Sequence, residues 1–251
     1  MRWFVGMDDT DVVGAPRGTG KVARFFESSL PEGWRCLGVV RQQLLVDPRI
    51  PYTSHNSAAC VVLEGEAQGG GELLAELGAA HLGAFALPGS DPGLCVAPEG
   101  HPALPPLGDL GERALREVLS QDDARRAAQG AHLSPHGGTG DGIIGAAAAV
   151  GLTAAGWRGR CISWGDLREL PETVPVEELE RRGIKVMWVE RDAFSVPPGT
   201  PIQGGGWLRP FLLGGVPVIM VQRDASGVFR AIPGKERFSG GGVKVGEKGE
   251  G

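Results

Sequence analysis

Three carboxylates, Asp8, Asp9 and Asp11, fall within four positions of the opening stretch MRWFVGMDDTDVVGAPRGTGK. Carboxylates held this close repel one another, and either water or a cation must offset that repulsion. Mg2+ is a hard cation whose usual partners are carboxylate and phosphate oxygens, so Asp8, Asp9 and Asp11 are candidate metal ligands. The competing reading is a solvated acidic turn in which Asp8 or Asp9 caps a helix. Shortly after, Gly18 and Gly20 flank Thr19, Lys21 follows, and an amphipathic pattern begins. Backbone N–H groups at a helix N-terminus attract anions. Lys21 would reach a phosphate there, and Thr19 would bond to one or accept a phosphoryl group. The spacing is not that of a GxxxxGK[ST] loop, and a simple capped helix remains the alternative.

A second glycine-rich stretch, HGGTGDGIIG from His136 to Gly145, frames Thr139 and Asp141 just before an alanine-rich run. A tight turn needs one or two glycines, so this density favours an anion cradle over a plain turn. Gly138, Thr139, Gly140, Asp141 and Gly142 are its candidate phosphate or nucleotide contacts. His136 reads equally as a ligand contact or a loop residue. DPRIPYTSHN, from Asp47 to Asn56, gathers Arg49, Tyr52, Thr53, His55 and Asn56 into one short polar piece and reads as a binding loop. SDPGLC, residues 90–95, reads as a structural turn.

These residues need elements to hold them. Residues 2–7 form a buried strand that delivers the acidic loop at its C-terminal end, where ligands commonly sit in sheets flanked by helices. The stretch from Gly18 is a loop followed by a helix with Val22, Phe25, Phe26 and Leu30 on one side. Residues 36–46 and 57–65 are strands, and GGGELLAELGAAHLG is a helix with glycines at both ends. Residues 86–109, rich in Pro and Gly, are expected to be loop-like. Residues 111–129 are expected to form one charged, amphipathic helix. GDGIIGAAAAVGL is a glycine loop leading into a helix packed closely on other backbone. Beyond Gly156 come short strands between Pro and Gly loops. The fold class is α/β (mixed α+β), with a strand–loop–helix catalytic core and a smaller β-rich C-terminal lobe. The expected boundaries are 1–155 for the core, 156–238 for the lobe of the same catalytic unit, and 239–251 for a flexible tail.

Composition bounds the function. Forty-two of 251 residues are glycine, against a usual share of about 7 %; such a chain makes many tight turns or close backbone approaches. The formal net charge is −5, so nucleic acid would be bound through a local basic patch rather than by overall charge. The four cysteines, Cys36, Cys60, Cys95 and Cys161, form no CxxC pair, which argues against a zinc knuckle or ribbon. No signal peptide and no apolar run long enough to span a membrane are visible, so a cytoplasmic protein with reduced thiols is expected.

Taken in order, GMDDTD, RQQLLVDPRIPYTSHN and HGGTGDGIIGAAAAVG make the chain resemble the archaeal tRNA agmatinylcytidine synthetase family, in its N-terminal ATP-using catalytic domain, over roughly the first 150 residues. That family continues into an oligonucleotide-binding barrel and a zinc ribbon, for which this chain has no counterpart motif. The resemblance implies an enzyme using ATP and Mg2+, in which a tRNA cytidine base is activated by phosphorylation and an amine, agmatine, displaces the activated oxygen. It implies that Asp8, Asp9 and Asp11 hold Mg2+ and the ATP phosphates. It also places Thr19 as phosphoryl acceptor or phosphate contact, and Asn56 and the 140–145 loop in the nucleotide site. Where the family is basic, this chain has Thr53-Ser54-His55 and Gly138-Thr139. The alternative reading is a non-catalytic nucleotide-binding or tRNA-processing accessory protein that works with a partner chain.

Overall fold

The computed structural model describes residues 1–53, 55–190, 195–204 and 208–232; the expected tail at 239–251 lies outside them. It is a mixed α/β protein with one mixed sheet and six helices. Six strands build the half that carries the acidic loop: β1 (Arg2–Asp8), β2 (Arg35–Gln43), β3 (Ser57–Glu64), β4 (Gly93–Pro98), β5 (His132–Pro135) and β6 (Arg160–Trp164). Their order is β5-β4-β1-β3-β2-β6, and every neighbouring pair is antiparallel. The helices are α1 (Thr19–Phe25), α2 (Gly70–Phe85), α3 (Leu104–Ala114), α4 (Gln121–Ala127), α5 (Gly142–Ala155) and α6 (Val176–Arg181). Beyond β6 the sheet continues through β10 (Phe211–Leu213), β11 (Val216–Arg223), β12 (Phe229–Ala231), β9 (Pro201–Gln203) and β7 (Thr173–Pro175), with β8 (Lys185–Trp188) parallel to β11. No described helix is long and apolar enough to cross a membrane.

Alternation along the strands sorts their side chains to two faces. Val5 and Met7 of β1, Val39, Val61 and Ile162 face one core, capped by Val22, Phe26, Leu74 and Leu82 from the α1–α2 layer. Phe4, Val40, Cys60, Cys95 and Cys161 face the other, covered by α5 with Leu107 and Leu110 of α3. A third core, including Val174, Leu179, Ile202, Ile219 and Phe229, fills the C-terminal part. All four cysteines are free, and three of them are buried, so they serve here as small apolar residues.

Two expectations are corrected. Residues 86–109 are not a loop. Leu94–Ala97 form the buried body of β4, paired on both sides by β1 and β5. The Pro and Gly residues lie at its ends, and Pro105 and Pro106 start α3, where a missing N–H costs nothing. Residues 111–129 are not one helix. The chain breaks after α3 and restarts at Ser120, whose hydroxyl accepts the Asp123 N–H while the Asp123 carboxylate accepts the Ser120 N–H, a capping box.

Helix α5 is the pivot. Nearly all of Gly142–Thr153 is buried, and its small residues let it lie at backbone distance from the sheet. A Cβ at Gly6 of β1 would overlap the Ala146 carbonyl oxygen and come within 2.8 Å of Val150 Cγ2. Gly6→Ala is therefore expected to lower stability by roughly 1–3 kcal/mol or more, read as a fall in Tm; an unchanged Tm would show that α5 does not rest on β1 in this way.

Candidate active site

Asp8 is the last residue of β1, opposite Gly93 of β4. Its side chain lies against α5, and a Cβ at Gly145 would overlap its carboxylate. The seating of α5 thus presses a carboxyl group against the first turn of a helix, where the positive end of the helix dipole favours negative charge. Asp9 follows with φ of 47°, the only positive value at a non-glycine position among the described residues. This turns the chain sharply out of the strand. Asp11 accepts a hydrogen bond from Thr53 Oγ1 at 3.2 Å, tying the acidic loop to the 47–57 loop. Thr10 is buried and donates to Thr19 Oγ1 through both its N–H (3.3 Å) and its hydroxyl (3.2 Å).

These segments meet in one cleft of about 160 Å3. Asp8, Asp9, Asp11, Thr19, Asn56, Asp141 and Gly142 line it, with Arg49 and Tyr52 from the polar loop. Leu44, Ile50, Pro51, Val118, Leu119 and Ile144 give it an apolar wall. Asn56 also holds its own loop shut by donating Nδ2–H to the Leu45 carbonyl at 2.6 Å. Arg49 forms a two-pronged ion pair with Asp47 at 2.8 Å.

The remaining candidates do not line the cleft. Lys21 extends over the Phe25 ring, 5.8 Å from its centroid. Gly20 makes room for Ile162, and Gly18 lets the chain pass beside the Asp11 carboxylate. The glycine loop before α5 is an anion cradle, but the anion it holds is internal. Asp91 accepts the N–H groups of Thr139 (3.0 Å), Gly140 (2.8 Å) and Asp141 (3.0 Å) and the Thr139 hydroxyl (2.6 Å). Gly138 has φ of 55° and packs against the Asp91 side chain. Gln121 of α4 braces the loop by donating to the Thr139 carbonyl and to Asp141 Oδ1. His136 points elsewhere: its ring meets Ser134 Oγ at 2.8 Å, which in turn meets His132. Asp91 is the residue that sequence reasoning missed, because nothing in SDPGLC indicates that its carboxylate closes a loop almost fifty residues away.

The acidic charge is held at a cost. Burial raises the Asp8 pKa to about 7, with Asp9 and Asp11 adding to the effect and an Asp9 backbone hydrogen bond opposing it. Burial raises Asp9 to about 6, helped by Asp91, Asp11 and Asp141. Asp11 is raised by burial against the Thr53 hydrogen bond. Among the described residues no three His, Cys, Asp or Glu side chains converge as a metal cage. Mg2+ does not require one, since it commonly uses one or two carboxylates, retained waters and the phosphates of its nucleotide. The Asp8–Asp9 pair, short of compensating cations and open to the cleft, fits that pattern.

Comparison with solved structures agrees with the resemblance carried by the motifs. The chain is similar to TiaS in its complex with tRNA and ATP, with 25 % identity and a TM-score of 0.51 over 60 % of this chain and 36 % of that one. It is also similar to apo TiaS, a tRNAIle2 agmatidine synthetase (26 %, TM-score 0.48, 60 % and 35 %), and to a tRNA fluorescent labeling enzyme (27 %, TM-score 0.49, 60 % and 36 %). The matched region spans little more than a third of those chains. No protein-family model and no curated protein sequence matches.

Two outcomes follow from the carboxylates. Asp8 and Asp9 have folded-state pKa values above their ordinary 3.8, so the folded protein keeps protons that the unfolded chain releases. Stability is greatest at low pH within this window and falls as pH rises from about 4 towards 7. Tm is expected to drop by several degrees between pH 5 and pH 8, and Asp9→Asn to flatten that slope and raise Tm at pH 8. A Tm in Asp9→Asn that tracks the parent at every pH would refute the electrostatic reading. Asp91→Ala, which leaves the loop N–H groups without their acceptor, is expected to destabilise by roughly 2 kcal/mol in chemical denaturation.

Proposed function

We propose that this chain is an ATP- and Mg2+-dependent, tRNA-modifying enzyme that activates a substrate oxygen by phosphoryl transfer for attack by an amine. The observation that carries this reading is the convergence of the DDTD loop, the start of α5 and the 47–57 loop on one cleft. Similarity to TiaS in its complex with tRNA and ATP supports it. Asp8 and Asp9, with Asp11 behind them, would hold Mg2+, which when bound supplies neutralisation of the phosphate charge. The apolar wall of Leu44, Val118, Leu119 and Ile144 suits a heteroaromatic base, and Tyr52, 45 % exposed at the rim, is free of the core.

The chemistry is a two-step exchange. The substrate oxygen bonds to phosphorus as the bond to the ATP leaving group breaks; the amine nitrogen then takes the carbon and phosphate departs with the oxygen. A cytidine base is the acceptor and agmatine the amine that the resemblance implies. Thr19 fits a phosphate contact better than a phosphoryl acceptor. Its oxygen already accepts two hydrogen bonds from Thr10, which occupies both lone pairs and leaves its O–H to donate. The start of α5 would bring the positive end of its helix dipole near the phosphates.

The accessory, non-catalytic reading gains one point from the glycine loop, whose N–H groups at Thr139 to Asp141 already hold Asp91. Calorimetric titration of ATP with Mg2+ and then with EDTA, beside ATP turnover on unmodified tRNA with agmatine, separates the two. Mg2+-dependent binding together with turnover is expected, and Asp9→Asn should reduce turnover by roughly 100-fold or more. Binding without turnover would favour the accessory protein, and unimpaired turnover in Asp9→Asn would remove Asp9 from the metal site.

A further inference from the structure

A face rich in arginine lies beside the cleft. Arg41 of β2 and Arg160 of β6 are register partners on neighbouring strands, and they share the face that carries Val39 and Ile162 towards the α1–α2 layer. Arg24 stands in the last turn of α1. Arg168 follows β6 in a short 3-10 turn, Leu167–Glu169, and donates to the Ile162 carbonyl at 3.2 Å. Arg209 precedes β10, and its carbonyl accepts from Arg160 at 2.9 Å. Five guanidinium groups are thus brought together from four separate parts of the chain.

Burial, with neighbouring guanidinium charge, lowers the pKa of three of them. Arg41 is lowered by burial and then by Arg209; Arg160 is pushed down to about 10 by burial, with Arg209 contributing; Arg168 is lowered by burial and then by Arg24 and Arg209. Among the described residues neither Arg24, Arg41 nor Arg160 makes an ion pair with a carboxylate. Arg160 also lies over the Phe211 ring, and its Nη2 is buried with no hydrogen-bond partner among the described residues. A buried charged donor without an acceptor costs stability. In a chain of net charge −5, Arg24, Arg41 and Arg160, like-charged and without a carboxylate partner among the described residues, mark a site for an anion that arrives from outside. Guanidinium groups match phosphate oxygens in two-pronged geometry.

The cluster also has a direction. Arg41 Nε donates to Ser57 Oγ at 3.0 Å, and Ser57 lines the cleft. Arg41 and Arg160 lie half-buried at the base, while Arg168 and Arg209 are exposed at the rim. We propose that this arginine face binds the phosphodiester backbone of an RNA strand and leads its reacting nucleotide past Ser57 into the cleft. The proposal rests on the reading of an RNA substrate given above. The same phosphate chemistry could be offered by ATP itself, and the two sources are separable.

The test is fluorescence anisotropy of a labelled, unmodified tRNA transcript against KCl concentration, with MgATP affinity measured in parallel by calorimetry. The double variant Arg24→Gln/Arg41→Gln removes two guanidinium groups that, among the described residues, make no ion pair with a carboxylate. It is expected to weaken RNA binding roughly tenfold at moderate salt and to reduce the salt slope by about 2, since each guanidinium neutralises one phosphate, with MgATP affinity unchanged. Arg160→Gln should weaken RNA binding too, while its Tm holds or rises because the buried, unpartnered Nη2 is gone. Unchanged RNA affinity and slope in the double variant would overturn the proposal and leave the RNA substrate standing. A parallel loss of MgATP affinity would assign the face to the nucleotide and also overturn it. Failure of the parent protein to bind tRNA at all would remove both the proposal and the RNA part of the functional reading, while MgATP binding would still report on the cleft.

Discussion

Helix α5 rests on β1 and β4 at backbone distance, and the geometry of the candidate site depends on that contact. Gly6 and Gly93 in the strands and Gly142 and Gly145 in the helix leave no space for even a methyl group between the layers. Dispersion and burial reward such an approach only when it is free of strain. The consequence reaches the chemistry directly. Because Gly145 has no side chain, the Asp8 carboxylate can lie against the first turn of α5, and the helix start can share a cleft with the acidic loop.

The second constraint is charge. Asp8, Asp9, Asp11 and Asp141 crowd one end of the sheet, and Asp91 stands close enough to Asp9 to raise its pKa. The fold holds this concentration partly by protonation, partly by the dipole of α5, and partly by hydrogen bonds such as that from Thr53. A cleft arranged in this way has an unmet demand for positive charge. Arg41 of β2 and Arg160 of β6 have the opposite demand, and Ser57 joins the cleft to Arg41. A bound polyphosphate with its cation would satisfy the first, and a phosphodiester strand the second. This division would let an acidic chain take the nucleic-acid substrate proposed above.

Much of the fold could be read from the residues, and the errors have identifiable causes. Strand β3 and helix α5 announce themselves by a long apolar stretch and a glycine start, and β1 and β2 by apolar residues on both sides of a glycine. Strand β4 does not, because its apolar body is only four residues long and proline brackets it; its pairing with β1 and β5 makes it a strand. The break between α3 and α4 was written in Ser120 and Asp123, a capping signal obscured by the continuous charge pattern around it. In the candidate site, the DDTD loop and the Asp47–Asn56 loop carried their own signature in side-chain type. The glycine loop signalled an anion, yet the sequence could not say whose. Asp91 supplies it, from the turn before β4.

Composition and spacing by themselves determined the chemical vocabulary of this protein: clustered carboxylates, glycine loops placed before helices, a polar loop before a strand, and cysteines unfit for zinc. These are local properties, set by side-chain type and backbone freedom within a few residues. Tertiary structure decided which of them meet. Asp8 reaches Gly145, Asp11 reaches Thr53, Asp91 reaches Thr139, and Arg41 pairs in register with Arg160, which reaches the Arg209 carbonyl, all by contacts between distant segments. Such partnerships depend on strand order and on how closely layers approach, and no local pattern encodes either.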